Sequence, residues 1–154
     1  MEEIMAEQIF FTADTHFNHE RIIELSHRPF SSVDEMNETL IANWNSMVNP
    51  QDTVYHVGDF AFAKRGTVEG LLRRLNGHKH LVIGNHDEKN DHVIKAKGWA
   101  SIRPYYRVRR ALSTSIILLH YPVEIWDRRH KGSIHLFGHI HEVPLERPTE
   151  LRHN

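Results

Sequence analysis

Apolar residues in this chain gather into short runs, and each run stops at a residue able to bind a cation. Ile9 to Ala13 leads into Asp14-Thr15-His16, and Thr53 to Val57 leads into Gly58-Asp59. Leu81 to Ile83 leads into Gly84-Asn85-His86-Asp87, Ile116 to Leu119 into His120, and Ile134 to Phe137 into Gly138-His139-Ile140-His141. Short apolar runs bounded by glycine and polar residues predict buried strands. Alternate residues in a chain leaving a strand share a side, so His139 and His141 can serve one place together. Strands whose carboxyl ends all carry Asp, Asn or His predict a sheet that converges on one site.

Between the runs the period changes. Ser32-Val33-Asp34-Glu35 reads as a capping box, with Ser32 accepting from the third amide and Glu35 reaching back. The helix it opens carries Val33, Met36, Leu40, Ile41, Trp44, Met47 and Val48 at spacings of three and four, predicting a core face that Asn49-Pro50 ends. Shorter helices are predicted around Glu20 to Ser26, ended by Arg28-Pro29, and from about Thr67 to Leu75, ended by Asn76-Gly77. Another runs from Asp91 to Lys97 and closes at Gly98, and the strand before it spans His80 to Ile83. Ile102 to Val108 and Ser115 to Leu119 read as neighbouring antiparallel strands joined by an Arg-rich turn. The tail after Glu142 predicts no element. Strand-helix alternation followed by strand-strand order predicts an α/β fold with a mixed sheet.

The totals restrict the chemistry more than the fold. Residues 1–154 fit one domain, and 40% hydrophobic with 25% charged residues fits an ordinary globular protein. Without cysteine there can be no disulfide, thiolate metal site or cysteine nucleophile, so any metal must be held by oxygen and nitrogen. A net charge of -1 gives no bulk attraction toward nucleic acid or membrane. The start, MEEIMAEQ, is acidic and unlike a secretory signal, and no apolar run approaches the roughly 20 residues of a membrane span, so a cytoplasmic protein is expected. Histidine is the departure, with 14 in 154 residues.

Asp14, His16, Asp59, Asn85, His120, His139 and His141 together suit a pair of divalent ions. Two ions sharing a carboxylate lie roughly 3.5 to 4 Å apart and can hold a hydroxide that is nucleophilic at neutral pH. His19 follows the first ligand pair closely enough to touch a substrate, whereas His56, His78 and His135 are expected to be structural or solvent-facing. The basic runs Arg107 to Arg110 and Arg128 to Lys131 read as solvated faces, and Trp99 and Trp126 have no assigned place.

The motifs D-x-H, G-D, G-N-H-D, H and G-H-x-H, in that order from Asp14 to His141, resemble the signature of the calcineurin-like metallophosphoesterases, and most of all their compact bacterial and phage-type members. The resemblance implies a sandwich of two mixed β-sheets flanked by helices. It implies that Asp14, His16, Asp59 and His141 hold a first metal, that Asp59 bridges, and that Asn85, His120 and His139 complete a second. His86 matches the catalytic histidine over the phosphate, and Asp87 completes its motif and could orient it. Asn85 would also meet the substrate.

The cofactors implied are two divalent ions, manganese first, with iron, zinc, nickel or cobalt also suited. The implied partner is a small phosphoester or nucleotide. The stretch Gly58 to Gly66 lacks the second Asp of the G-D-x-x-D-R-G pattern of protein phosphatases, which favours a phosphodiesterase. A phosphomonoesterase or nucleotidase is the alternative reading, and a non-catalytic scaffold keeping the fold is a third.

Overall fold

A computed structural model describes residues 6–109 and 114–141. The chain order is β1 (Ile9–Thr12), α1 (Glu20–Leu25), α2 (Val33–Met47), β2 (Thr53–Val57), α3 (Arg65–Arg74), β3 (His78–Val82), α4 (Asn85–Lys89) and α5 (Asp91–Ile94). It continues with β4 (Ser101–Arg103), β5 (Tyr106–Arg109), β6 (Ser115–Leu118), a single 3-10 turn at Arg129–Lys131, and β7 (Ile134–Leu136). The strands form two sheets, β1-β2-β3-β4 and β5-β6-β7. The fold is therefore α/β with two sheets and flanking helices.

The first sheet is parallel throughout rather than mixed. In the second, β5 pairs antiparallel and β7 parallel with β6. The stretch expected as one strand from Ile102 to Val108 divides between the sheets: Ser101–Arg103 closes the first and Tyr106–Arg109 opens the second. Periodicity alone cannot place that break, because both halves are extended. The expected antiparallel pairing holds for Tyr106–Arg109, while the Arg-rich turn and the tail after Glu142 lie outside the described residues.

Alternation along the strands builds two cores. Val57 and Val82 point to one face, where they meet Tyr106, Val108, Ile116 and Leu118 of the second sheet. Leu81 points to the other face, where Ile41, Val68, Leu71, Leu72 and Val93 of the helices cover it with Phe17 and Phe60. Helices on one face and a sheet on the other leave the first sheet little contact with water, as parallel sheets require. Trp99 finds its place here, packed edge-on to Phe60 at 4.9 Å with its Nε1 donating to Val93 O at 3.1 Å.

The long helix follows its pattern with two departures. Ser32 Oγ accepts from Glu35 N at 3.1 Å as expected, but Glu35 reaches back to Ser31 N and Oγ rather than to Ser32 N. Met36, Ile41 and Val48 are buried, whereas Met47 is 65% exposed. Met47 is the last residue of the helix and faces water, while the capping residue Val48 turns back into the core. Helix α4, Asn85–Lys89, lies in a stretch for which the sequence predicts no element, between the strand ending at Ile83 and the helix starting at Asp91. No helix among the described residues is long and apolar enough to cross a membrane.

His56 on β2 is fully buried and touches this core from inside. Thr15 Oγ donates to Phe60 O at 2.8 Å, so His56 Nε2 must be the donor to Thr15 Oγ at 2.9 Å. Its Nδ1 then faces no partner, and burial pulls its pKa down to about 3. Below about pH 6.5 the unfolded chain takes up a proton that the folded chain refuses until near pH 3. Stability from this residue is whole above that window and falls through it by up to about 1.4 kcal/mol per pH unit. Urea unfolding in chelator at pH 7, 5.5 and 4 should show this slope, and His56→Gln should flatten it by about one proton; an equal slope in both proteins would refute the assignment.

Candidate metal centre

Parallel pairing puts the carboxyl ends of β1, β2 and β3 side by side, and their loops stay paired beyond the strands. Asp14 N donates to Gly58 O at 3.0 Å, His16 N to Asp59 O at 3.1 Å and Phe17 N to Phe60 O at 2.9 Å. The second sheet delivers its own strand ends to the same place. His120 N–H at Nδ1 donates to Val57 O at 2.8 Å, and Gly138 N donates to His120 O at 3.0 Å. All seven expected ligands thereby meet, although they come from five strand ends.

They form two groups. Asp14, His16 and His141 offer one donor atom each within 4.8 Å of one another, and Asp59, His120 and His139 do the same. In the first group His16 Nε2 lies 3.3 Å from His141 Nε2, and Asp14 Oδ1 lies 3.9 Å from the former and 3.7 Å from the latter. A point equidistant from the three atoms of that triangle is about 2.1 Å from each, a normal bond length for a divalent ion to nitrogen and oxygen. In the second group Asn85 Oδ1 lies 3.1 Å from His120 Nε2 and 2.9 Å from His139 Nδ1. Asp59 Oδ2 stands between the groups, 3.8 Å from His16 Nε2 and 3.5 Å from His120 Nε2. The donor set thus fits two ions with a shared carboxylate.

Four of the donors are aimed by a second contact. The Val57 carbonyl takes the Nδ1 proton of His120 and leaves its Nε2 lone pair facing the centre. Ser26 Oγ lies 2.9 Å from His141 Nδ1 and holds that ring by a hydrogen bond, with Nε2 toward the centre. Asp59 Oδ1 accepts His86 N at 2.9 Å, leaving Oδ2 for the centre. Asp14 accepts His139 N at 3.0 Å on Oδ2. Arg28 donates from one guanidinium nitrogen to Asp14 O at 2.6 Å and from another to Thr15 O at 2.8 Å.

The electrostatics follow from burial against charge. Burial lowers the His16 pKa and keeps the ring neutral, and burial raises that of Asp14. Burial also works against the His120 cation, but Asp59 and the Val57 carbonyl outweigh it and raise the pKa. Asp59 goes the other way: burial opposes its charge, yet bonds from His120 and the His86 amide hold its pKa below the usual range.

Backbone strain gathers at the same place. Asp14, His16, Asp59, His139 and His141 hold φ of 53°, 50°, 59°, 73° and 47°, five of the eight non-glycine residues with positive φ among those described. Asp and His tolerate the left-handed region better than most side chains, at a cost of about 1 kcal/mol or more each. Such strain persists only where surrounding contacts fix it, and the bonds of Arg28 and His120 to these loops supply that.

Three further expected residues, His86, Asp87 and His19, take different places. His86 stands at the open side, 36% exposed, with Nε2 3.9 Å from Asp59 Oδ2. Asp87 points inward instead. It is fully buried and its carboxylate accepts from Gly84 N at 2.9 Å, Asp59 N at 2.8 Å and Phe60 N at 3.1 Å. Burial nonetheless pushes its pKa up to about 6 against those three donors. Asp87 therefore ties the Asp59 loop to the start of α4, and orients His86 only through the backbone. His19 accepts Ile22 N–H on Nδ1 at 3.0 Å, and its ring lies edge-on to His16 at 5.7 Å and His86 at 6.1 Å.

Ser26 and Arg28 escaped the sequence reading, in which Arg28-Pro29 was only a helix end. Their partners lie 115 and 14 residues away, and neither belongs to a motif. Gly138 shows how little room the site leaves. A Cβ there would strike Asp14 Oδ2 and come within 2.9 Å of Ala13 Cβ. Gly138→Ala should weaken Mn2+ binding at least tenfold by calorimetry. Gly66→Ala, where an added Cβ meets nothing within 4 Å, should bind as the parent does. Equal affinity in all three proteins would contradict the packing described.

No family model matches the chain. Among curated proteins it is similar to Uncharacterized protein MJ1445 of Methanocaldococcus jannaschii, 35% identical over 92% of this chain and 76% of that protein. The Gene 66 proteins of Mycobacterium phages L5 and D29 are 28% and 27% identical over 86% of this chain, covering 76% and 78% of theirs. Among solved structures, the protein of unknown function AQ665 from Aquifex aeolicus superposes with a TM-score of 0.61 at 32% identity, over 80% of this chain and 66% of that one. At that identity and coverage, the chain belongs to the family of the Methanocaldococcus jannaschii protein MJ1445.

Proposed function

We propose that this protein is a calcineurin-like metallophosphoesterase, a hydrolase of phosphoesters with phosphodiesters as the favoured class. The observation that carries this reading is the meeting of two donor groups at one carboxylate, Asp59. Asp14, His16 and His141 would hold one divalent cation, Asn85, His120 and His139 a second, and Asp59 both. Manganese is the first choice, and iron, zinc, nickel and cobalt suit the same nitrogen and oxygen donors. When bound, the two cations would supply positive charge to the phosphoryl oxygens and ionise water near neutral pH.

The chain's own residues then divide the remaining work. Asp87, Arg28 and Ser26 hold the donors in place. His86 belongs to neither group and stands at the mouth, free to hold a proton on Nε2. As the water oxygen joins phosphorus and the bond to the ester oxygen breaks, His86 gives its proton to the departing oxygen. The proton lost by the water restores His86. Diesters are favoured because Phe60-Ala61-Phe62-Ala63 replaces the carboxylate-bearing loop of protein phosphatases with apolar side chains.

Elemental analysis after Mn2+ loading, paired with a generic diester and monoester assay, tests the reading. His86→Ala should keep both ions and lose at least a hundredfold in turnover, the usual scale of a proton donor. Asp59→Asn should lose ions and turnover together. A loaded parent protein that cleaves neither ester would end the proposal, as would a full rate in His86→Ala.

A further inference from the structure

Two exposed aromatic rings stand near Asp59, one linked to it through His19 and His86 and the other through His120. Phe62 is 56% exposed and Tyr121 is 39% exposed. The Phe62 ring lies 5.0 Å from that of His19, whose ring lies 6.1 Å from that of His86. Tyr121 lies 5.2 Å from His120 and 4.9 Å from His139. His86 and His120 both reach Asp59 Oδ2, so a path of adjacent side chains runs from Phe62 across the centre to Tyr121.

Neither ring is where the core would put it. Phe60, two residues before Phe62, is fully buried, and so is Phe17 beside it. The Phe62 backbone is nonetheless fixed: its N–H donates to Phe17 O at 2.8 Å, extending the bridge between Phe17 and Ala61. His19 is fixed as well, because its Nδ1 caps α1 and the remaining Nε2 carries the proton. An exposed apolar ring on a fixed stretch of backbone, beside a fixed N–H donor at the edge of the polar centre, matches a flat organic group that also offers acceptors. A single exposed apolar side chain needs no explanation, but two aromatic ones bracketing the same donor set do.

We infer that Phe62 and Tyr121 form a stacking site for the organic part of the substrate, which is therefore a nucleotide or a similar phosphoester of a planar ring. This rests on the phosphoesterase reading and narrows its substrate. Phe62 lies on the His86 side, so it faces the group that departs, while Tyr121 faces the group retained on phosphorus. A diester bearing a base on each side uses both rings. An aliphatic ester uses neither.

The test is calorimetric binding of thymidine monophosphate and of glycerol phosphate to the Mn2+-loaded full chain, alongside turnover of thymidine dinucleotide. The nucleotide should bind roughly tenfold or more tightly than glycerol phosphate, the scale of one base stacked on an aromatic ring. Phe62→Ala and Tyr121→Ala should each cut that ratio several-fold, Phe62→Trp should preserve it, and Met47→Ala, an exposed apolar residue on α2, should leave it alone. Equal binding of the two probes, no binding of either, or a ratio that survives both alanine variants overturns the stacking site. A ratio that behaves as expected with no ester cleaved keeps the stacking site and removes the phosphoesterase reading. Cleavage without a ratio does the reverse.

Discussion

Parallel pairing of β1, β2 and β3 is the constraint on which the rest of this molecule depends. Parallel strands in register end at the same edge of the sheet, and here Asp14, Asp59 and Asn85 all fall just beyond that edge. An antiparallel neighbour would have sent one of these residues to the far end. Parallel order also forces each connection to cross back over the sheet, which is why helices separate these strands and cover Leu81 from outside. The position of the acidic residues and the α/β layering are thus two results of one hydrogen-bonding pattern.

The second sheet serves a different purpose. Its pairing carries His120 and His139 just beyond the ends of β6 and β7, and it meets the first sheet through Val57, Val82, Ile116 and Leu118. The His120 imidazole locks the two together at the top, since its Nδ1 proton is given to Val57 O on the first sheet. One side chain therefore joins the sheets and offers a donor to the centre. Loosening the contact between sheets would misplace three of the seven donors, which makes packing of the inner core a condition for the proposed chemistry.

Strain and fastening balance at the loops. Five donors sit in the left-handed region, and a backbone so disposed would relax if it could. Arg28 holds the carbonyls of Asp14 and Thr15, and Asp87 collects three amides from the neighbouring loops. These contacts spend buried polar groups on geometry rather than on stability alone. Close approach adds to the effect at Gly138, where the Asp14 carboxylate occupies the space of a side chain.

Much of the centre could be read along the chain, because each donor follows an apolar run that is itself a strand. Asp14, His16, Asp59, Asn85, His120, His139 and His141 were all found this way, and the structure brings all of them together. Local pattern suffices there, since period and punctuation are properties of neighbouring residues. It failed where the outcome hung on distant ones. The break between Arg103 and Tyr106 sends two extended segments to different sheets, and only packing decides that. Met47 keeps the helical spacing but faces water, while its neighbour Val48 is buried where the segment around Asn76 covers the end of α2. Ser26 reaches His141 across 115 residues, and Asp87 turns inward because three amides wait for it there. Sequence determined which residues can bind a cation and that strands present them; only the tertiary structure decided which sheet each strand joined and which side chains aim the donors, because those choices depend on surfaces that exist only once the chain has closed on itself.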